Sequence, residues 1–211
     1  MSITLQISES LQKGRLKDVK ELINKALEEG VGADVILNEG LLAGMDIIGG
    51  KFKRNEVYVP EVLIAARAMN AGAEILKPRL VDMGVQSVGK VVLCTVKGDL
   101  HDIGKNLVKM MLEGKGLEVI DLGIDISAEK VVEAVKEHSP QIVALSALLT
   151  TTMGEQKVVI DALKEAGLRD QIKVMIGGAP ITQAYADEIG ADAFTPDAAT
   201  CAEVAKEFVV A

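Results

Sequence analysis

The sequence predicts an N-terminal four-helix bundle followed by an α/β domain built on a five-stranded parallel sheet. Three observations predict it. No strand-like run occurs before residue 90, while apolar residues recur there at helical spacing. From Val91 onward, short β-branched runs alternate with amphipathic stretches of helical length, the pattern of a parallel sheet covered by helices. Between the two regions, Val81–Gly89 carries two glycines and a serine and reads as a linker and hinge. The domains are therefore expected at residues 1–86 and 87–211.

In the first region, Ile7 and Leu11 mark a short leading helix. Val19, Leu22, Ile23, Ala26 and Leu27 form one face of the next. Leu37, Leu41, Met45 and Ile48 give a third, with Gly30, Gly32, Gly49 and Gly50 at its borders. Val62, Ala66, Met69, Ala73 and Leu76 give a fourth, with Pro60 in its first turn. The segment Phe52 to Val62 is unusual, because Phe52 and Tyr58 are two of only five aromatic residues in the chain. On its own this half reads as a helical interaction module, with those aromatics closing one end of the bundle.

In the second region, strands are expected at Val91–Val96, Leu117–Ile120, Ile142–Leu145, Ile172–Ile176 and Ala191–Phe194. Helices are expected at about 103–115, 127–138, 153–166, 180–189 and 197–210. Five strands with five helices fit a Rossmann/flavodoxin-like sheet in the order 2-1-3-4-5, whose switch point lies between strands 1 and 3. The loops after strands 1, 3 and 4 then open on one edge. They carry Asp99-Leu100-His101-Asp102-Ile103-Gly104, then Ser146 to Thr152, then Gly177-Gly178-Ala179-Pro180. A carboxylate–imidazole pair, hydroxyls and bare glycine backbone converge on one crevice.

Composition narrows the function. The formal charge of −8 excludes a nucleic-acid or anionic-membrane partner, since both require a basic footprint. There is no apolar run of membrane-spanning length and no signal-peptide pattern, so a cytoplasmic location is expected. Cys94 and Cys201 are isolated and read as small buried hydrophobes. His138 closes a helix and reads as structural. Asp121 and Asp125 follow the second strand and are read either as contacts for a ligand's amides or as solvated loop carboxylates.

Asp99-x-His101-x-x-Gly104, then 41 residues, Ser146-x-Leu148, then 28 residues and Gly177-Gly178, resembles the base-off/His-on cobalamin-binding motif. With a helical cap ahead of it, the whole chain is similar to the cap and cobalamin-binding domains of methionine synthase. Its size is that of a free-standing corrinoid protein of a methyltransferase system.

The resemblance implies a cobalamin (a cobalt corrinoid) with His101 as the lower ligand to the metal. It implies Asp99 and Thr152 as the relay behind that imidazole. Asp102, Ile103, Gly104, Ser146, Leu148, Thr150, Gly177, Gly178 and Ala179 would hold the corrin and its displaced nucleotide tail. Phe52, Val59 and Val62 would shield the methyl-bearing face. The implied function is a methyl carrier, accepting the group on cobalt(I) and giving it up from methyl-cobalt(III).

The implied partners are a substrate-specific methyltransferase, a second methyltransferase specific for tetrahydrofolate or coenzyme M, and a reductive activase. Tetrahydrofolate as acceptor and O-demethylation of methoxylated compounds are the favoured expectations. The chain carries the group while its partners hold the substrates, so it is not catalytic alone. A cobalamin-responsive sensor, a cobalamin-dependent isomerase subunit and a flavodoxin-like domain for another nucleotide are the alternatives. The isomerase lacks a use for the cap, and the last leaves His101 unexplained.

Overall fold

The structure, a computed structural model, describes residues 2–84 and 87–210. The chain divides into two compact units that part between Ser87 and Val88. Of the Val81–Gly89 linker, Val85 and Gln86 lie outside the described residues.

The first unit contains α1 (Ile3–Gln12), α2 (Leu16–Glu28), a composite third rod and α4 (Val59–Asp82). The third rod, α3, runs through Ala33–Val35, a π-helical segment Ile36–Leu42, and Ala43–Lys53. Of its expected apolar stripe, Leu41, Met45 and Ile48 are buried, but in the π-helical turn Ile36 takes the buried place expected of Leu37, which is half-buried. The expected border at Gly49 and Gly50 is corrected, because the helix continues through both to Lys53. Two glycines weaken a helix by about 1 kcal/mol each, but Lys51 and Lys53 in the last turn favour its negative end. Gly44 is required by contact: a Cβ there would lie 3.1 Å from Leu11 Cδ2 and 3.3 Å from the Ser8 Cα of α1. In α4, Pro60 stands in the first turn and Glu61 accepts the Tyr58 N–H at 3.0 Å.

The second unit holds β1 (Lys90–Val96), β2 (Glu118–Ile126), β3 (Ile142–Ser146), β4 (Lys173–Gly177) and β5 (Ala193–Phe194). All pair in parallel in the order β2-β1-β3-β4-β5, as the sequence predicts. The connecting helices are α5 (Ile103–Gly114), α6 (Ala128–His138), α7 (Gly154–Glu165), α8 (Gln183–Ile189) and α9 (Ala198–Val210). β1 is buried from Val91 to Val96, which explains why it lacks the alternation of a half-exposed strand. Val92, Cys94, Leu145 and Ile176 point into one apolar core with Val131, Val159 and Ile160.

One strand differs from expectation. β2 extends to Ile126 rather than stopping at Ile120, so Asp121 and Asp125 lie within it. Its register against β1 shifts between Leu93 and Cys94 and again before Val96. The extra length is tied down by side chains, as described below. Both thiols are buried, and burial pushes Cys94 up to about 12 and Cys201 to about 11. They pack as hydrophobes. Among the described residues, no helix is long and apolar enough to cross a membrane.

Candidate functional site

The register of the sheet sets the site. Thr95 pairs with Ser146, and Ser146 with Gly177, so one residue from each of β1, β3 and β4 stands in a row at the carboxyl edge. Beyond that row the three strand-end loops begin. A Cβ at Gly178 would fall 1.8 Å from the Ala147 carbonyl oxygen, and its φ of +132° excludes other residues. The Gly-Gly backbone is thus closed against the neighbouring loop. At Gly104 the space is open, and a Cβ there would meet nothing within 4 Å.

His101 and Asp99 form the centre. The Asp99 side chain is fully buried, while that of His101 is half exposed. His101 Nδ1 lies 2.7 Å from Asp99 Oδ1, and the His101 amide donates to the same oxygen at 3.1 Å. The second carboxylate oxygen accepts the Leu148 N–H at 2.7 Å and the Thr152 hydroxyl at 2.8 Å. The carboxylate therefore joins the loop after β1 to the loop after β3, 53 residues away at Thr152.

Burial alone would raise the Asp99 carboxyl. The donors from Leu148, His101 and Thr152 outweigh it and hold the group well below the usual carboxylate range. An ionised Asp99 accepts from Nδ1–H, which fixes the tautomer and leaves Nε2 with its lone pair outward. Among the described residues, Nε2 has no hydrogen-bond partner. The arrangement offers one basic nitrogen, oriented from behind, to a Lewis acid.

The surroundings are apolar. Leu100 and Ile103 are 68% and 78% exposed beside His101, and Leu148 and Leu149 are each 41% exposed on the loop after β3. Asp102 accepts from Asn106 at 3.1 Å, and Thr150 and Ala179 are exposed on their loops. Ser146 and Gly177 are half-buried. In the helical unit, Phe52 and Val59 are half-buried and Val62 is fully buried, near the end of α3 and the start of α4.

Sequence reasoning missed Lys105. It follows Gly104 on α5, is 3% exposed, and reaches both oxygens of Asp121 at 2.7 and 2.8 Å. Asp121 also accepts the Gly123 N–H at 3.0 Å and lies 3.5 Å from Lys109. Burial opposes its ionisation, but Lys105 and the Gly123 amide outweigh that and lower the carboxyl. The solvated-loop reading of Asp121 is thereby corrected: it anchors α5 to β2. The signal available was a pair of lysines, Lys105 and Lys109, one turn apart on the helix face that also carries Val108 and Leu112.

Comparison with known proteins identifies the family. Residues 89–205 match the family described as B12 binding domain, and residues 5–77 match a second family of the same description. The chain is 46% identical over 177 residues to the trimethylamine corrinoid protein of Methanosarcina barkeri, covering 83% of this chain and 82% of that one. It is 41% identical over 212 residues to a corrinoid protein of Desulfitobacterium hafniense, covering 99% of this chain and 98% of the other. The methanol:cobalamin methyltransferase complex MtaBC of Methanosarcina barkeri superposes with a TM-score of 0.88 at 31% identity, over 99% of this chain and 80% of that one. With a B12 binding domain over its α/β unit and close likeness along its full length to such carriers, the chain belongs to the corrinoid proteins of methyltransferase systems.

Proposed function

We propose that the chain is a methyl carrier that binds its corrinoid base-off, with His101 Nε2 as the lower ligand to cobalt. The observation that carries the reading is the Asp99–His101–Thr152 relay, which leaves one oriented imidazole nitrogen free. The donor set suits the group. A corrinoid would need from the protein one nitrogen donor for its metal and an apolar bed for its ring. His101 supplies the first, and Leu100, Ile103, Leu148 and Leu149 supply the second.

When bound, the corrinoid supplies a cobalt that is nucleophilic when reduced and able to hold a methyl group when oxidised. The chain's own residues do the rest. Asp99 accepts from Nδ1–H and so holds the ring with Nε2 outward. Thr152 has one hydroxyl hydrogen and two acceptors, Asp99 at 2.8 Å and the Leu149 carbonyl at 3.1 Å, so it orients the carboxylate. Asp102, Ile103, Gly104, Ser146, Thr150, Gly177, Gly178 and Ala179 border the crevice for the corrin and its displaced tail. Phe52, Val59 and Val62, on a cap domain of residues 1–86, would cover the upper face and move aside at each transfer, the hinge lying in Val81–Gly89.

The partners are then a methyltransferase specific for the methyl donor, a second one for the acceptor, and a reductive activase, all in the cytoplasm, with no nucleic acid or membrane involved. Two donor classes are supported by different observations. The resemblance itself is shared by carriers for methanol, methylamines, glycine betaine and methoxylated aromatics, and methoxylated compounds with tetrahydrofolate as acceptor are the expectation taken from the sequence. Methylated amines, with coenzyme M among the acceptors, are favoured by the trimethylamine relative.

The test is the visible spectrum of the protein after reconstitution with methylcobalamin, beside His101→Ala. The wild type is expected to show an imidazole-ligated spectrum that the variant lacks. Coincident spectra, or no corrinoid retained by the wild type, would reject the assignment.

A further inference from the structure

We infer that Thr95 and Asp125 are positioning residues for His101, two arms of a main-chain clamp that fixes where the imidazole stands. The inference rests on the reading of His101 as lower ligand and adds residues which that reading does not use. Thr95 lies inside β1 and is fully buried, an unusual place for a hydroxyl in a run of valines. A buried hydroxyl needs a partner. Its partner is the carbonyl of His101 itself, at 2.8 Å.

Asp125 closes the other side from the end of β2. Its Oδ1 accepts the Gly98 N–H at 2.7 Å, and its own N–H donates to the Asp99 carbonyl at 3.1 Å. To aim both groups at one loop, Asp125 adopts a φ of +55°, a left-handed conformation that short Asp side chains tolerate better than most. Three backbone groups between Gly98 and His101 are thus held from β1 and β2. None of these bonds involves the imidazole or the Asp99 carboxylate.

The division of labour is clear. The relay through Asp99 and Thr152 sets the tautomer and rotation of the ring. The clamp sets the position of the main chain that carries it. A ligand on a loop free to wander spends less time at bonding distance, so loosening either arm lowers ligation without removing any group that touches the corrinoid.

The experiment uses full-length protein labelled with nitrogen-15 histidine, reconstituted with cobalamin and reduced to cobalt(II). Electron paramagnetic resonance then reads the ratio of imidazole-ligated to unligated metal from the nitrogen-15 splitting, and gel filtration reads corrinoid retention separately. Thr95→Val and Asp125→Gly are expected to retain corrinoid while the ligated ratio falls about fivefold each, the worth of one typical hydrogen bond. Thr95→Ser and Asp125→Asn keep the bonding atoms and are expected to stay within about twofold of wild type. In corrinoid-free protein, the Gly98 amide is expected to exchange faster in Asp125→Gly.

Wild-type ratios in the valine and glycine variants overturn the clamp while leaving His101 as ligand. No nitrogen-15 splitting in the wild type overturns the ligand assignment itself, and the clamp with it. If Thr95→Val fails to fold by circular dichroism, Asp125→Gly decides the matter, because glycine takes the left-handed conformation freely at that exposed position.

Discussion

Two polar pairs, Asp99–His101 in the loop after β1 and Lys105–Asp121 between α5 and β2, begin six residues apart, and they are built in opposite senses. In Asp99–His101 the anion is fully buried and the base is half exposed. In Lys105–Asp121 the cation is buried and the carboxylate keeps 18% exposure. The first pair presents a group outward and hides what orients it. The second presents nothing and hides the charge that joins α5 to β2. Burial of the supporting partner marks a working pair, whereas burial of the long cation marks a fastening.

This contrast makes graded predictions. The largest effect is expected from Asp121→Asn, which removes the counter-charge of the buried Lys105 ammonium, leaves it only neutral acceptors such as Asn106 Oδ1 at 2.8 Å, and should lower unfolding stability in urea by about 3–5 kcal/mol. Lys105→Met should cost far less, about 1 kcal/mol, because Asp121 keeps Lys109, the Gly123 amide and some solvent. Equal losses in the two variants would break the asymmetry.

Asp99→Ala is expected to come next, at about 2–3 kcal/mol, since it orphans the Leu148 and His101 amides, while the Thr152 hydroxyl keeps the Leu149 carbonyl. Its counterpart His101→Ala should change stability by less than about 0.5 kcal/mol, because an exposed partner contributes little to folding. Calorimetry of the pair checks this, and a large loss in His101→Ala would show that the imidazole supports the fold rather than the chemistry. Thr152→Val should cost about 1 kcal/mol, with Thr152→Ser intermediate.

The acid limb sharpens the comparison further. Asp121 is depressed in the fold, so the unfolded chain binds more protons near the usual carboxylate range. The stabilisation it gives is complete above about pH 4 and is lost as pH falls through the lower, folded value. Stability against pH should therefore decline less steeply below about pH 4 in Asp121→Asn than in wild type. Parallel slopes would mean that Asp121 is not ionised preferentially in the native state.

Much of this was legible in the sequence, and the exceptions have one cause. The strand order and the strand-end loops follow from periodicity and from short spacings that place residues on one edge. The Asp99–His101–Thr152 relay follows from the motif those loops carry. β2 beyond Ile120 was not legible. Asp121, Gly123 and Asp125 interrupt its apolar run, and what sustains the strand comes from Lys105 and Gly98, remote in sequence. The helix through Gly49 and Gly50 was hidden for a related reason. Local propensity favours a stop there, while Ile48 and Gly49 on the buried face carry the helix onward. Thr95 looked like one more β-branched strand residue, and its hydroxyl gained meaning only from the loop that folds back on it.

The outer strands of the sheet have a consequence of their own. β5 is only two residues long, and β2 breaks register twice against β1 and turns left-handed at Asp125. Neither offers the long, flat row of free amides and carbonyls on which a second copy could stack. A protein whose proposed work is to be handed from one partner to the next thereby carries a sheet poorly suited to pairing edge to edge with a second copy.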